Sequence, residues 1–538
     1  MGGNDEAAVG PNPAPPARES TTVPGDPAPA PAVAPQGSRL GRNVGALAGG
    51  QVVTWTMTLL WTLVVPRALG PAGFGVIMAA IAITGIFAVV LGLGTRNYLV
   101  REIVVDQDEA ARLLGTALAL RFAVTPLLVG AAVVYGHVAG YDHTASLVLY
   151  VTVAGAIFLQ LAEPLQAGFQ AIERMEYMAY SDVINKCAQG LLGVALALLG
   201  FREVGIAACA MTMAGVVLVL DAVWLRRHVR IELRTNARRL ARMVRNSVAY
   251  WAFGIFFVLY LWIDTTMLSL MTRPEVVGWY AVPTRLFQTA MFVAVVVATA
   301  WLPRLVRAFE ESPERLRTDA RAPLELVLLL GLPISAAIAA GADPVVNALY
   351  GPAYAGAVPV LVVLGLCIPP MYVNIMLNQV LIASKRQAAW TWAMVGATVV
   401  NPALNFLLIP LTAARYDNAA IGAAIALLVT EVVIVAFGFA MVGRSVLDRR
   451  AVGRFARMAA ASAALWATAY ATRPFGPVVS LAAAGLTFVA IVAALRVLTP
   501  EEAAFLRSCA RRARARTSVI GARVVSLATS GSAAPPSA

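Results

Sequence analysis

The sequence predicts an all-α polytopic membrane protein with about fourteen transmembrane helices. Three observations predict it: an apolar composition with few charges, apolar runs of spanning length, and basic residues gathered in alternate loops. Of the 538 residues, 59% are hydrophobic and 13% are charged, against about 25% charged in a soluble domain. A soluble chain of this size cannot hide so much apolar surface behind so few polar groups.

The runs come next. A span needs about 20 mostly apolar residues. Such runs cover 44–65, 74–94, 113–136, 146–166, 179–200, 205–225, 246–270, 276–302, 322–341, 354–381, 388–411, 417–441, 455–471 and 476–497. The thirteenth is the shortest. Ser, Thr, Gly and Asn recur inside them, which suits helices packed on one another. Barrel strands would be about ten residues long and alternating, and these runs are neither.

The third observation sets the topology. Loops after even-numbered spans hold twenty-five Arg and Lys, eight of them in Arg226–Arg245; loops after odd-numbered spans hold Arg67, Arg202, Arg273, Arg415 and Arg473. The positive-inside rule then places both termini in the cytoplasm. The net charge of +13 is thereby topological and partly lipid-contacting. A nucleic-acid role is not indicated.

The domain plan follows. Residues 1–40 are a disordered Pro/Ala-rich cytoplasmic tail, with Pro11-Asn12-Pro13-Ala14-Pro15-Pro16 as an example. They lack the basic start and immediate apolar run of a signal peptide. Residues 41–225 form an N-terminal six-helix lobe, 226–245 a basic cytoplasmic linker, and 246–441 a C-terminal six-helix lobe. Two accessory helices fill 442–500, and 501–538 is a basic, mostly disordered cytoplasmic tail. The entries to spans two and eight share a faint repeat, Gly70-Pro71-Ala72-Gly73-Phe74-Gly75 and Arg273-Pro274-Glu275-Val276-Val277-Gly278. Internal repeats are a common transporter plan.

Polar groups at membrane depth are the candidate site. A charge in hydrocarbon costs at least ~2.5–3.5 kcal/mol, so it faces protein or water. Asp264 and Arg285 lie about 9 and 14 Å from the outer ends of spans seven and eight, close enough in depth to pair. Arg121 and Glu431 are also deep, whereas Glu163 and Asp221 lie nearer the cytoplasmic ends. These groups either tie helices together or line a central cavity. In a cavity, arginine matches phosphate oxygens with its planar fork, and a carboxylate carries a proton or orients an arginine. Asn374, Asn378, Asn401 and Asn405 serve either as interhelical hydrogen bonds or as a polar cavity wall. Pro402 adds a helix irregularity. The stretch 168–186 reads as a short amphipathic connection, with Asp182 and Lys186 as an i,i+4 pair.

Other chemistries find no support. The four cysteines are widely spaced and read as small hydrophobes. The three histidines show no ligand spacing, so neither a metal site nor a cofactor is proposed. No phosphate-binding loop or nucleophile motif appears, which argues against an enzyme.

Taken in order, several motifs resemble a known family. They are Arg67-Ala68-Leu69-Gly70-Pro71-Ala72-Gly73-Phe74-Gly75, Gly168-Phe169-Gln170, Asp264 with Val277-Gly278-Trp279-Tyr280 and Arg285, Leu349-Tyr350-Gly351-Pro352-Ala353-Tyr354, and Asn401-Pro402-Ala403-Leu404-Asn405-Phe406 followed by Pro410 and Asn418–Ala424. Over roughly 40–500 the chain resembles the polysaccharide exporters, or oligosaccharide flippases, of the multidrug/oligosaccharidyl-lipid/polysaccharide exporter superfamily. The resemblance implies two six-helix lobes around a central cavity, in a bacterial inner membrane. It implies alternating-access movement of a lipid-linked saccharide, undecaprenyl-pyrophosphate-linked in many members, coupled to a proton or sodium gradient. Polysaccharide polymerase and glycosyltransferase partners go with it. A multidrug or small-cation antiporter and a lipid II-type flippase are the neighbouring alternatives. A polymerase or ligase would need a large outer loop, which is absent here.

Overall fold

A backbone in hydrocarbon must satisfy its own N–H and C=O groups, and a helix does so within one segment. The computed structural model describes residues 36–443 and 449–497. The expected disorder of the 1–40 and 501–538 tails lies outside the described residues, except at 36–40, where a helix has already begun. The described residues form fifteen α-helices and two short 3-10 turns. They are α1 (Gln36–Gly92), α2 (Thr95–Val105), α3 (Ala110–Val138), α4 (His143–Ala171), α5 (Met175–Leu198), α6 (Glu203–Leu225), α7 (Ala237–Met271) and α8 (Pro274–Glu311). Then come α9 (Pro313–Tyr350), α10 (Ala357–Leu366), α11 (Ile368–Ala383), α12 (Gln387–Tyr416), α13 (Ala419–Val442), α14 (Arg449–Ala471) and α15 (Pro477–Ala494).

Among the described residues, ten helices are long and apolar enough to cross a membrane, or eleven if the bent pair α10–α11 is one span. The expectation was about fourteen, and the difference has physical causes. α1 carries two expected runs, separated only at Gly70, whose φ of 70° and ψ of 172° break the helix. Glycine tolerates that left-handed φ, and Pro71 can follow at a first helical position, where its missing N–H is not needed. α5 carries Asp182, Asn185, Lys186 and Gln189, and α14 opens with four arginines at 449, 450, 454 and 457. Both helices are therefore too polar to count by hydropathy. The expected tenth run is bent by 41° at the α10–α11 junction.

Local readings also change. The 94–112 loop contains α2, and the 168–186 connection is helical except at 172–174. α7 begins inside the basic 226–245 segment, where Asn236 Oδ1 accepts from Arg239 N at 2.9 Å, a side-chain N-cap. The preceding part of that segment is docked on α3: Glu232 N donates to Ala111 O at 3.1 Å, and the Thr116 and Thr235 hydroxyls lie 3.1 Å apart.

Helices in lipid gain little from the hydrophobic effect between them, so small residues and close packing hold them together. α13 illustrates this: Ala419, Ala420, Gly422, Ala423 and Ala424 are all buried, packed against α12. Leu127, Leu191, Val219, Phe406 and Leu486 remain exposed, an apolar exterior suited to acyl chains.

Two opposite regions tie the first half of the chain to the second. At one end, the Pro71–Gly75 and Pro274–Gly278 segments pack reciprocally. A Cβ on Gly75 would lie 1.8 Å from Pro274 O, and one on Gly278 2.0 Å from Pro71 O. The backbones meet where only glycine fits, in a pattern that repeats across the two halves. Tyr354 Oη adds a hydrogen bond to Pro66 O at 2.9 Å, and Tyr135 Oη meets Ser269 Oγ at 2.6 Å. At the other end, Trp251 Nε1 donates to Val89 O at 3.1 Å and Val90 O at 2.9 Å.

The glycine contact yields a stability prediction. Gly75→Ala forces two backbones apart, an overpacking cost of about 1–3 kcal/mol. By contrast, Gly396 has nothing within 4 Å of an added Cβ. Thermal melting of the purified chain should fall for Gly75→Ala and hold or rise for Gly396→Ala. A Gly75→Ala protein melting with wild type would contradict the close approach.

Candidate functional site

Helices α1, α4, α5 and α6 surround a cavity of about 600 Å³, and Arg285 of α8 reaches it from the second half. Its walls are mainly apolar, with Met57, Trp61, Ile77 and Ile206 among them. Polar groups enter from α4 as Gln160 and Glu163, and from α5 as Asn185, Lys186 and Gln189.

Arg285 has only neutral neighbours. One amino group lies 3.4 Å from Gln288 Oε1, the other 3.9 Å from Met78 Sδ, and the guanidinium carbon sits 6.0 Å from the Trp262 ring centroid. The weak sulfur contact and the ring face leave its charge uncompensated.

Asp264, expected at a depth that allowed pairing with Arg285, has other partners. Its carboxylate accepts from Asn405 Nδ2 at 2.6 Å and from Tyr280 Oη at 2.9 Å. Asn405 Nδ2 also reaches Asn401 Oδ1 at 2.8 Å, one helical turn away. Asn401 and Asn405 are wholly buried, and Asp264 nearly so. Asn401 Nδ2 and Asn405 Oδ1 have no protein partner. This cluster joins α7, α8 and α12, and its residues are not part of the cavity lining.

A second buried cluster joins α7, α11 and α13. Glu431 accepts from Tyr260 Oη and from Asn374 Nδ2. The same Asn374 amide lies 3.1 Å from the Glu431 carbonyl, and Asn374 Oδ1 has no protein partner. Asn378, four residues on, is half-buried, and its side chain joins neither cluster.

Arg121 lies behind the cavity wall, only 2% exposed. It donates to Gly92 O at 2.5 Å, Thr95 Oγ1 at 2.9 Å and Glu163 Oε2 at 2.5 Å. It therefore pins the α1–α2 junction to α3 and α4 and neutralises Glu163. Glu163, whose side chain is 32% exposed, turns its other side to the cavity. Asp221 is fully buried and accepts from Ser181 Oγ and from Gln166 Nε2 at 3.0 Å, tying α4, α5 and α6.

Of the eight sequence candidates, Arg285 alone lines the large cavity. Asp264, Asn401 and Asn405 come together, as do Glu431 and Asn374; Arg121 and Asn378 stand apart from both. Sequence reasoning missed Lys186 by assigning it to a loop and pairing it with Asp182. Among the described residues no ion pair joins them. A signal was present: Lys186, Gln189, Gly190 and Gly193 follow the i, i+3, i+4, i+7 spacing of one helix face, and all four line the cavity.

Comparison with known proteins places this geometry. The family model for polysaccharide biosynthesis proteins matches residues 40–309, half of the chain. The model for MatE matches 252–407. No curated protein matches the sequence. The fold resembles the lipid II flippase MurJ in an inward closed conformation, with a TM-score of 0.67 at 13% identity, covering 82% of this chain and 97% of that one. It also resembles a multidrug resistance MATE family transporter in an inward-facing conformation, with a TM-score of 0.57 at 17% identity, covering 72% and 94%. Those likenesses bear on the fold, and the family match extends across the helices that enclose the cavity. The chain belongs to the polysaccharide biosynthesis protein family, and its fold resembles that of transporters of the multidrug/oligosaccharidyl-lipid/polysaccharide exporter superfamily.

Proposed function

We propose that this protein moves a lipid-linked oligosaccharide or polysaccharide precursor from the cytoplasmic to the outer leaflet by alternating access. The observation that carries the reading is Arg285, an arginine of the second half without a carboxylate partner, set in a cavity otherwise walled by the first half. An anionic headgroup on an apolar lipid is the cargo that such a cavity suits. The bilayer penalty on the free cation falls when a phosphate meets it.

In this reading, fourteen spans form two six-helix lobes, 41–225 and 246–441, joined by the basic 226–245 linker and followed by accessory helices in 442–500. Both termini lie in the cytoplasm of a bacterial cell, as the arginine asymmetry supports. The reciprocal glycine contact then closes the outer end, and Trp251 against α1 closes the inner end. The lipid diphosphate is of the polyprenyl class, undecaprenyl in bacteria. Glycosyltransferases supply the cargo and a polymerase receives it. A multidrug cation exporter would suit an acidic cavity. Here Glu163 is the lone carboxylate among the described lining residues, and Arg121 already neutralises it. A lipid II-type precursor shares the diphosphate chemistry and differs in its sugar.

Coupling to a proton or sodium gradient fits the buried carboxylates. Asp264 is held by neutral donors only, beside the spare polar atoms of Asn401 and Asn405. A cation or proton there offsets a charge that burial makes costly, and α7 and α12 would respond together.

Two experiments test this function. In proteoliposomes carrying a fluorescent polyprenyl-diphosphate oligosaccharide, Arg285→Gln should slow translocation about tenfold to a hundredfold, the value of a charge-assisted contact. Wild-type flux would overturn the role of the cavity arginine. Asp264→Asn preserves size and removes the charge. Its flux should cease to respond to an imposed pH or sodium gradient, whereas a response equal to wild type would rule out coupling through Asp264.

A further inference from the structure

Helix α1 ends at Gly92 because Leu93 and Gly94 both take a left-handed φ, 54° and 61°. The last four carbonyls of a helix have no N–H partner within it. Here side chains from other helices supply the donors. Trp251 Nε1 of α7 donates to Val89 O and Val90 O at 3.1 and 2.9 Å, and Arg121 Nη1 of α3 donates to Gly92 O at 2.5 Å. Just before them, Gln160 Nε2 of α4 donates to Ala88 O at 2.8 Å. Gly94 meets the second half directly, since an added Cβ would lie 2.5 Å from Trp251 N. The end of α1 is thus the anchor of the Trp251 junction between the halves.

The same cap reaches the large cavity. Gln160 and Glu163 both line it. Glu163 Oε2 accepts from Arg121 Nη2 at 2.5 Å, and that amino group also donates to Thr95 Oγ1 at 2.9 Å. Arg121 Nε and Gln160 Oε1, a donor and an acceptor, lack a protein partner. Both side chains line a second, small cavity of about 10 Å³, the size that takes one water. A water there joins Arg121 and Gln160 into one cap.

We propose that Arg121 is a positioning residue that transmits events at Glu163 in the cavity to the Trp251 junction, with Gln160 as its partner in the cap. The proposal rests on the alternating-access reading above. Its physical basis is competition for one carboxylate. Glu163 faces Arg121 on one side and the cavity on the other. A hydrogen-bond donor in the cavity, such as a saccharide hydroxyl, draws on the same carboxylate and loosens its hold on Arg121. Leu93 has a Cβ, so its left-handed φ persists only while the contacts around it hold. Releasing Arg121 lets the break between α1 and α2 relax towards continuous helix. That relaxation moves Val89 and Val90 away from Trp251.

The test reads distances between the halves in the full chain in nanodiscs. It uses no cargo, so its outcome is separate from the flux assays of the proposed function. The four native cysteines are replaced by serine. Spin labels are attached at Val105→Cys on α2 and Ala241→Cys on α7, exposed positions on helices that pack together. A second pair, Ala72→Cys and Ala355→Cys, also exposed, reads the glycine junction at the opposite end. Glu163→Gln keeps the shape and removes the charge, and Gln160→Leu removes the other arm of the cap. Each should lengthen the first distance by about 5 Å, the scale of a one-turn shift between packed helices, without lengthening the second. Arg121→Gln should do the same, and combining it with Glu163→Gln should add nothing, because the two residues act as one unit. Arg121→Lys keeps the charge and loses the fork, so it should fall between wild type and Arg121→Gln. Melting temperature verifies folding, and Glu163→Gln with Gln160→Leu decides the matter should Arg121→Gln not fold. A mere brace would lower the melting temperature and leave both distances unchanged, which overturns the proposal. Wild-type distances in Glu163→Gln beside a lengthened first distance in Arg121→Gln overturn it too, since the cavity then has no hold on the junction.

Discussion

Hydrocarbon offers no partner to a charge or a backbone amide, and that constraint shapes the structure at every level. It makes the backbone helical throughout the apolar runs. It also forces each deep polar side chain to find a partner inside the protein or to face a cavity. Arg121 with Glu163, Asp221 with Ser181 and Gln166, Asp264 with Asn405 and Tyr280, and Glu431 with Asn374 and Tyr260 are the first solution. Arg285 and Lys186 are the second. The contrast separates groups that hold the bundle together from groups open to the proposed cargo.

The same constraint shapes how the two halves are joined. Few strong interactions cross between them. At the Pro71/Pro274 end the contact is glycine against backbone carbonyl, repeated reciprocally, with hydroxyl hydrogen bonds beside it. At the other end an indole N–H meets two carbonyls of α1. Neither junction carries an ion pair among the described residues. Interfaces built from close backbone approach and single hydrogen bonds can exchange one arrangement for another at modest cost, as the proposed alternating access requires.

Much of this was legible in the sequence because it is local or periodic. Apolar run length marked the helices, and the Pro71–Gly75 and Pro274–Gly278 segments already looked alike before their contact was known. Pairing was harder to read. Asp264 and Asn405 are 141 residues apart in sequence, Tyr260 and Glu431 are 171 apart, and depth along a helix does not say which face a side chain occupies. Depth alone therefore suggested a pair between Asp264 and Arg285, whose side chains have different neighbours. Lys186 was misread for a different reason. Counting cations as loop markers works on average, and it hides a cation that lines the cavity. α5 itself escapes hydropathy because it carries Asp182, Asn185, Lys186 and Gln189. The expected count of about fourteen and the ten or eleven strongly apolar helices differ partly for that reason.

Access to this cavity is the central claim, and Cys209 reports on it directly. It is half-buried and lines the cavity. In a variant keeping Cys209 and replacing the other three cysteines by serine, a membrane-impermeant thiol reagent should label it from one side of the membrane at a time. Added lipid-linked oligosaccharide should protect it. Labelling from neither side, or labelling untouched by the lipid-linked saccharide, would contradict the cavity's role as the route across the membrane.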